Sequence, residues 1–496
     1  MMNMIAKGVT PLLAALLLTA CATPDFVQPY VATPVAFREA QVPAAPVEGV
    51  DGARWKPAQP AEAQPRGQWW LAFNDPALTA LIGEATTNNA NLAVAASRVK
   101  QARAIAGIAE ADRVPQVGVG IGAQRAQLSP LESNLAPGTR TEPHTSYSAR
   151  LSASYEVDLF GRVAAGVSAA RGDAASSEAN FRSVLLALQA DVAQTYFRLR
   201  ALDAELDTVA QAVRLREESV GVTQRRFDLG DIGEFDLSRA RTELATARAE
   251  AIGLQRQRAT GEHALAVLLG KPASSFVAGR SPLLTASALP IIPAGLPSNL
   301  LERRPDIVAA QRAMEASNAR IGVARGAMFP SLLISADGGG VGGGAFSDVF
   351  RWSSRSWVLG ALASMPIIDG GRNRNNVVRS EAALEESVGA YRQSVLVAFA
   401  EVEDSLAGLR ILAGQAEQIE AALVSARRAA DLAQKLYDAG RSSYLELLDA
   451  QRNLSNVERT AVQLRGDRAL TTVALIRALG GGWGEAQQGG AALAQR

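Results

Sequence analysis

From residue 147 the chain alternates strictly: Tyr147, Ala149, Leu151, Ala153, Tyr155 and Val157 are apolar, and Ser148, Arg150, Ser152, Ser154, Glu156 and Asp158 are polar. Successive side chains of a strand point to opposite faces, so this pattern predicts a strand with one apolar and one polar face. Val117, Val119 and Ile121 alternate with glycines in a partner strand, and Trp357, Leu359, Ala361, Ala363 and Met365 form the apolar set of a strand in the second half. Such alternation fits a transmembrane barrel strand and also a half-buried soluble sheet. Strand lengths of about 12 residues and long tip loops favour the barrel. Tyr147, Tyr155, Trp352 and Trp357 are placed for interfacial aromatic girdles.

Elsewhere the pattern is helical and is written twice. Helices are predicted over about 91–112 and 306–327, then over about 163–229 and 372–439, and return helices run through about 269 and 479. Neither long stretch contains a proline, and at 1.5 Å per residue each reaches about 100 Å. Gly230 and Gly440 stand where left-handed helix caps are expected, and Ser443 with Glu446 has capping-box spacing. Phe227-Asp228-Leu229-Gly230 recurs as Tyr437-Asp438-Ala439-Gly440, and Gly161-Arg162 as Gly371-Arg372. The offset of about 210 residues defines an internal twofold repeat.

Composition removes most chemistry. Lys+Arg 50 against Asp+Glu 49 gives a net charge of +1, so no basic face for nucleic acid is implied. Two histidines (His144 and His263) and one cysteine provide no disulfide, zinc signature or phosphate loop. No catalytic residue, metal site or cofactor is expected, and the chain reads as a non-enzyme.

The N-terminus sets the compartment. Lys7 and the short apolar run Val9 to Leu18 read as a signal peptide over 1–20. Leu18-Thr19-Ala20-Cys21 resembles a bacterial lipobox, making Cys21 the lipidation site. Ala22 after it favours sorting to the outer membrane. Residues 21–68 read as a lipid-anchored extended tether, 69–290 and 291–483 as two structural repeats, and 484–496 as a disordered tail. Four amphipathic strands cannot close a barrel with a bore, and an open edge in hydrocarbon costs several kcal/mol per unpaired group. Several copies must share one barrel, and three copies give about 12 strands and room for a passage.

Trp69-Trp70-Leu71-Ala72-Phe73-Asn74-Asp75-Pro76-Ala77-Leu78, Leu300-Leu301-Glu302-Arg303-Arg304-Pro305-Asp306-Ile307, Leu447-Leu448-Asp449-Ala450-Gln451-Arg452 and Ala478-Leu479-Gly480-Gly481-Gly482-Trp483 carry a resemblance to the TolC-type outer membrane efflux proteins, in their lipoprotein branch. The resemblance implies an α+β membrane protein: long antiparallel helical hairpins form a periplasmic α-barrel, and four β-strands per chain enter a trimeric 12-stranded transmembrane β-barrel. It implies a homotrimer in the outer membrane that docks on a periplasmic adaptor and an inner-membrane transporter of RND type. The duct would be passive and gated, for small molecules; a duct for secreted proteins and a periplasmic scaffold that never spans the membrane stay open as alternatives.

Asp75-Pro76 and Arg304-Pro305-Asp306 read locally as helix starts. Leu445, Asp449 and Arg452 share one helix face, and match the family motif that narrows the periplasmic aperture; spacing alone fits an exposed ion pair equally well. Their first-repeat counterparts are Phe235, Arg239 and Thr242. The resemblance places adaptor docking at the hairpin tips, Leu229, Gly230, Asp231 and Ile232 with Ala439, Gly440, Arg441 and Ser442.

Overall fold

The computed structural model describes residues 24–29, 31, 33–34, 36–39, 67–131, 134, 136, 138–283, 289–290, 292 and 303–481. Cys21, the signal peptide and the 484–496 tail lie outside the described residues.

Apart from an extra first helix, the two repeats have the same order of elements. Helix α1 (Pro76–Asn88) precedes α2 (Ala90–Ala111), then strands β1 (Gln116–Ala126) and β2 (His144–Val157), the long helix α3 (Arg162–Asp228) and its return α4 (Glu234–Leu268). The second repeat runs α5 (Pro305–Gly326), β3 (Ser331–Gly343), β4 (Arg355–Ser364), α6 (Arg372–Asp438) and α7 (Tyr444–Ala478). Corresponding helices match in length: 22 residues in α2 and α5, 67 in α3 and α6, and 35 in α4 and α7. Among the described residues no helix is long and apolar enough to cross a membrane.

Both long helices start from the same device. Asp158 accepts from the backbone N–H groups of Val163 and Ala164 at 3.1 and 2.7 Å, and Asp369 accepts from Gly371 and Asn373, each at 2.9 Å. Those bonds stabilise the ionised form and hold the Asp369 carboxyl below its ordinary range. Gly161 and Gly371, with φ of 72° and 83°, make the left-handed step that a side chain would strain.

The chain folds into two compact units, each drawn from both repeats. The first holds the sheet and the helix segments that flank it. Its strands pair antiparallel in the order β1-β2-β3-β4. Register brings the apolar positions into rows: Val119 faces Leu151, which faces Gly338, which faces Trp357. Likewise Val117, Ala153, Ala336 and Leu359 share a row. One face of the four strands is therefore largely apolar, as alternation predicts, with Arg355, Arg125 and Thr145 on it only toward the loop end of the sheet. Met365, expected in this set, falls just past the end of β4. The opposite face is mostly serine and glycine, with Arg150 and Asp337, although Leu333 pairs with Leu362 there. Small residues permit close helix packing: a Cβ on Gly172 of α3 would lie 2.9 Å from that of Ala316 in α5.

The second unit carries the principal core. Trp69 packs edge-on against Trp70 and Phe73, and Phe73 lies 4.9 Å from Phe197. Leu78, Leu199 and Ile476 are fully buried around them. Asp75 caps α1 as its sequence predicts, accepting from Ala77 and Leu78 at 2.9 and 3.1 Å, while its second oxygen accepts from the Tyr196 hydroxyl at 2.6 Å. Arg304 is buried, forks onto Asp306 at 3.1 and 2.7 Å and donates to the Ala478 carbonyl at 3.0 Å. It thereby ties the start of α5 to the end of α7.

Parts of the segment expected as an extended tether are bonded to the folded body. In the first unit the Pro24 carbonyl accepts from Asn318 at 2.8 Å, and Gln28 donates to the Tyr391 hydroxyl at 3.2 Å. In the second, Phe37 is buried, and the N–H groups of Arg38 and Glu39 donate to Glu403 at 2.7 and 3.0 Å.

Candidate functional site

The candidate gate lies at the start of α7. Ser443 caps that helix, its hydroxyl accepting from the Glu446 N–H at 3.4 Å, which is one limb of the expected capping box. Leu447 and Leu448 are buried and fix the rotation of the helix. Leu445 and Asp449 consequently point away from the core, and the Asp449 side chain is 63% exposed. Leu445, Asp449 and Arg452 do share a face, but Asp449 is only a loose partner for Arg452, at 3.8 Å.

Arg452 is held instead by Glu243 of α4. Its Nε donates to Oε2 at 2.9 Å, and its terminal nitrogen meets Oε1 to complete a fork. Glu243 is buried and also faces Arg216 of α3 at 4.0 Å. One heptad further along, Arg459 of α7 meets Glu250 of α4 and, at 3.2 Å, Glu205 of α3. Gln463 donates to the same Glu205 at 3.0 Å. The return helices of the two hairpins are thus linked by two arginine–glutamate rungs seven residues apart. A fork of this kind is charge-assisted and directional.

Glu243, Glu250, Glu205 and Arg459 were not among the sequence candidates. The signal was present as acids at 243 and 250 in one return helix and bases at 452 and 459 in the other. Of the first-repeat counterparts, Phe235 is exposed, and the Thr242 hydroxyl is spent on its own helix, donating to the Ser238 carbonyl at 2.9 Å.

Gly230 and Gly440 have φ of 78° and 68°, and each closes a Schellman motif. Gly230 and Asp231 donate to the carbonyls of Phe227 and Arg226, and Gly440 and Arg441 to those of Tyr437 and Leu436. Leu229, Gly230, Asp231, Ala439, Gly440 and Arg441 are exposed, whereas Ile232 and Ser442 are half-buried. The tips are neighbours: Arg226 donates to the Tyr437 hydroxyl at 3.0 Å and stacks over its ring at 5.6 Å. Burial, then the adjacent Tyr437, push the Tyr444 phenol up, so it stays protonated. At equivalent positions one tip presents Asp231 and the other Arg441, so the paired turns carry opposite charges.

A one-sided antiparallel sheet with open edges, continuous with two hairpins of extreme length that end in exposed turns, defines a subunit of an outer-membrane channel. The chain belongs to the outer membrane efflux protein family, whose model matches residues 81–271 and 296–481. The solvent efflux pump outer membrane protein SrpC of Pseudomonas putida is 35% identical over 482 residues, covering 96% of this chain and 98% of SrpC. Outer membrane protein OprJ of Pseudomonas aeruginosa is 34% identical over 486 residues, 97% of each chain. The open state of the Neisseria gonorrhoeae MtrE outer membrane channel superposes with a TM-score of 0.78 at 27% identity, covering 93% of this chain and 98% of that one. The protein is an outer-membrane efflux channel component.

Proposed function

We propose that three copies close one 12-stranded barrel and one helical tunnel, forming the passive exit duct of a tripartite pump. The observation that carries this reading is the sheet order β1-β2-β3-β4. It leaves β1 and β4 as edges on an otherwise apolar-faced sheet, and hydrocarbon does not tolerate unpaired edges. Pairing β1 of one copy with β4 of the next satisfies both.

In this reading Cys21 carries the lipid anchor, and the opposite-charged tips around Gly230 and Gly440 receive a periplasmic adaptor. An RND-type inner-membrane transporter supplies the energy. Leu445 and Asp449 narrow the periplasmic end, while the Arg452–Glu243 fork holds α7 against α4 and keeps the aperture closed. The solvent efflux named for SrpC supports small organic molecules as cargo. The test is native mass spectrometry together with cysteine cross-linking between β1 and β4. A trimer whose cross-links all join different copies supports the reading, and a monomer without pore activity overturns it.

A further inference from the structure

The β3–β4 connection does not hang free at the loop end of the sheet. It folds back onto the apolar face. Val349 is buried, with its carbonyl directly over Gly340, where an added Cβ would sit 2.1 Å from that oxygen. Gly342 makes similar room for the backbone at Asp348. Phe346 packs edge-on against Tyr147 at 5.9 Å and against Phe350 at 5.7 Å. Aromatic residues thus replace strand side chains at the outer border of the apolar face, with Trp352 and Trp357 about four-fifths exposed.

Two cations sit in that border. Arg355 pairs with Gly340 in a row that continues to Ala149 and Ile121, so it stands on the apolar face, two residues from Trp357. Its guanidinium lies 4.5 Å from the centre of the Trp352 ring. No carboxylate among the described residues pairs with it. Arg351, on the same segment, meets Asp348 at 2.9 Å. The other Asp348 oxygen accepts from the Ala345 N–H at 3.1 Å, so the only carboxylate of the segment is occupied and the segment keeps an excess cation. Stacking on an indole fixes the guanidinium plane and leaves its N–H edge free. A planar fork at a hydrocarbon border fits a phosphate oxygen pair.

We propose that Arg355, stacked on Trp352 with Arg351 nearby, binds a phosphate of a phosphorylated glycolipid in the outer leaflet, seating the barrel rim on its annular lipid. This rests on the membrane-facing reading of the sheet. The whole trimer, inserted and pore-forming, is measured by native mass spectrometry against diphosphoryl lipid A and the same lipid without phosphates. Wild type is expected to retain the phosphorylated form about tenfold better, a preference set by one charge-assisted contact. Arg355→Gln should remove most of that preference, and Arg355→Lys should keep part of it, since lysine has the charge without the fork.

Equal retention of both lipids by an inserted wild-type trimer overturns the proposal, as does an unchanged preference in Arg355→Gln. Loss of the preference in millimolar inorganic phosphate identifies a free-anion site and also overturns it. Failure of wild type to insert at all contradicts the membrane reading instead. If Arg355→Gln does not assemble, Trp352→Leu keeps the apolar surface and removes the stack, and it should lower the preference in the same direction; an unchanged preference there overturns the proposal.

Discussion

Arg452 of α7 forks onto Glu243 of α4, its Nε 2.9 Å from Oε2, across 209 residues of sequence. The contact joins the return helix of the second hairpin to that of the first. Glu243 is buried and Arg452 is half-exposed, so the pair is worth on the order of 1 kcal/mol once solvent screening is allowed for. That is enough to bias a two-state element and small enough for a docking partner to overcome.

Asp449 is exposed beside this fork, and in the proposed gate it forms the charged rim of the opening. Asp449→Ala should raise single-channel conductance and weaken cation preference, with thermal stability unchanged because its pair with Arg452 is loose. Conductance and ion selectivity in planar bilayers check this; unchanged values remove Asp449 from the rim.

Gly466 lies where α7 crosses α3, and a Cβ there would stand 2.7 Å from that of Ala201. Gly466→Leu should therefore overpack the crossing and cost about 2 kcal/mol or more, seen as a lower unfolding midpoint of the assembled protein. Gly414→Leu, where an added Cβ meets nothing within 4 Å, is the matched control and should change little.

Burial works against the charge of Asp306, but its hydrogen bonds to Arg304 and the Arg304 charge, with the Ile307 N–H, outweigh it and hold the carboxyl below its ordinary range. Burial likewise opposes the Arg304 charge, yet Asp306 and Glu401 raise it, so the arginine stays protonated. A carboxyl with a depressed folded pKa adds stability above its unfolded value of about 4, which is lost as pH falls through the folded value. The unfolding midpoint of wild type should exceed that of Asp306→Asn at neutral pH, and the gap should narrow as the pH falls below the unfolded value of about 4. A gap independent of pH contradicts this assignment.

Cys21→Ser should abolish acylation, read as the loss of the acyl mass and of metabolic lipid labelling. The four strands provide insertion on their own, so pore activity of the purified protein should persist. Loss of the pore in folded Cys21→Ser would show that the anchor does more than tether.

The elements were legible because each has a local cause. Proline-free stretches bounded by glycines gave the two 67-residue helices, and the ends of their return helices, within a residue or two, and strict alternation gave β2 and its apolar face. Asp75 before Pro76 announced its cap. What stayed hidden depends on partners distant in sequence. Glu243 became visible as the partner of Arg452 only when α4 lay beside α7. The described residues among 24–39 looked like a free tether because three of their bonds run through backbone groups at Pro24, Arg38 and Glu39, and the side-chain bonds of Gln28 and Glu39 follow no period. Gly340 and Gly342 make room for the folded-back connection, a packing need set by residues that come later in the chain.

If the Arg452–Glu243 fork holds the channel shut, as proposed, single-channel recording in planar bilayers should show small or rare openings for purified wild type and a several-fold higher conductance or open probability for Glu243→Gln. The absence of any pore, or identical conductance and open probability in the two proteins, would contradict that proposal.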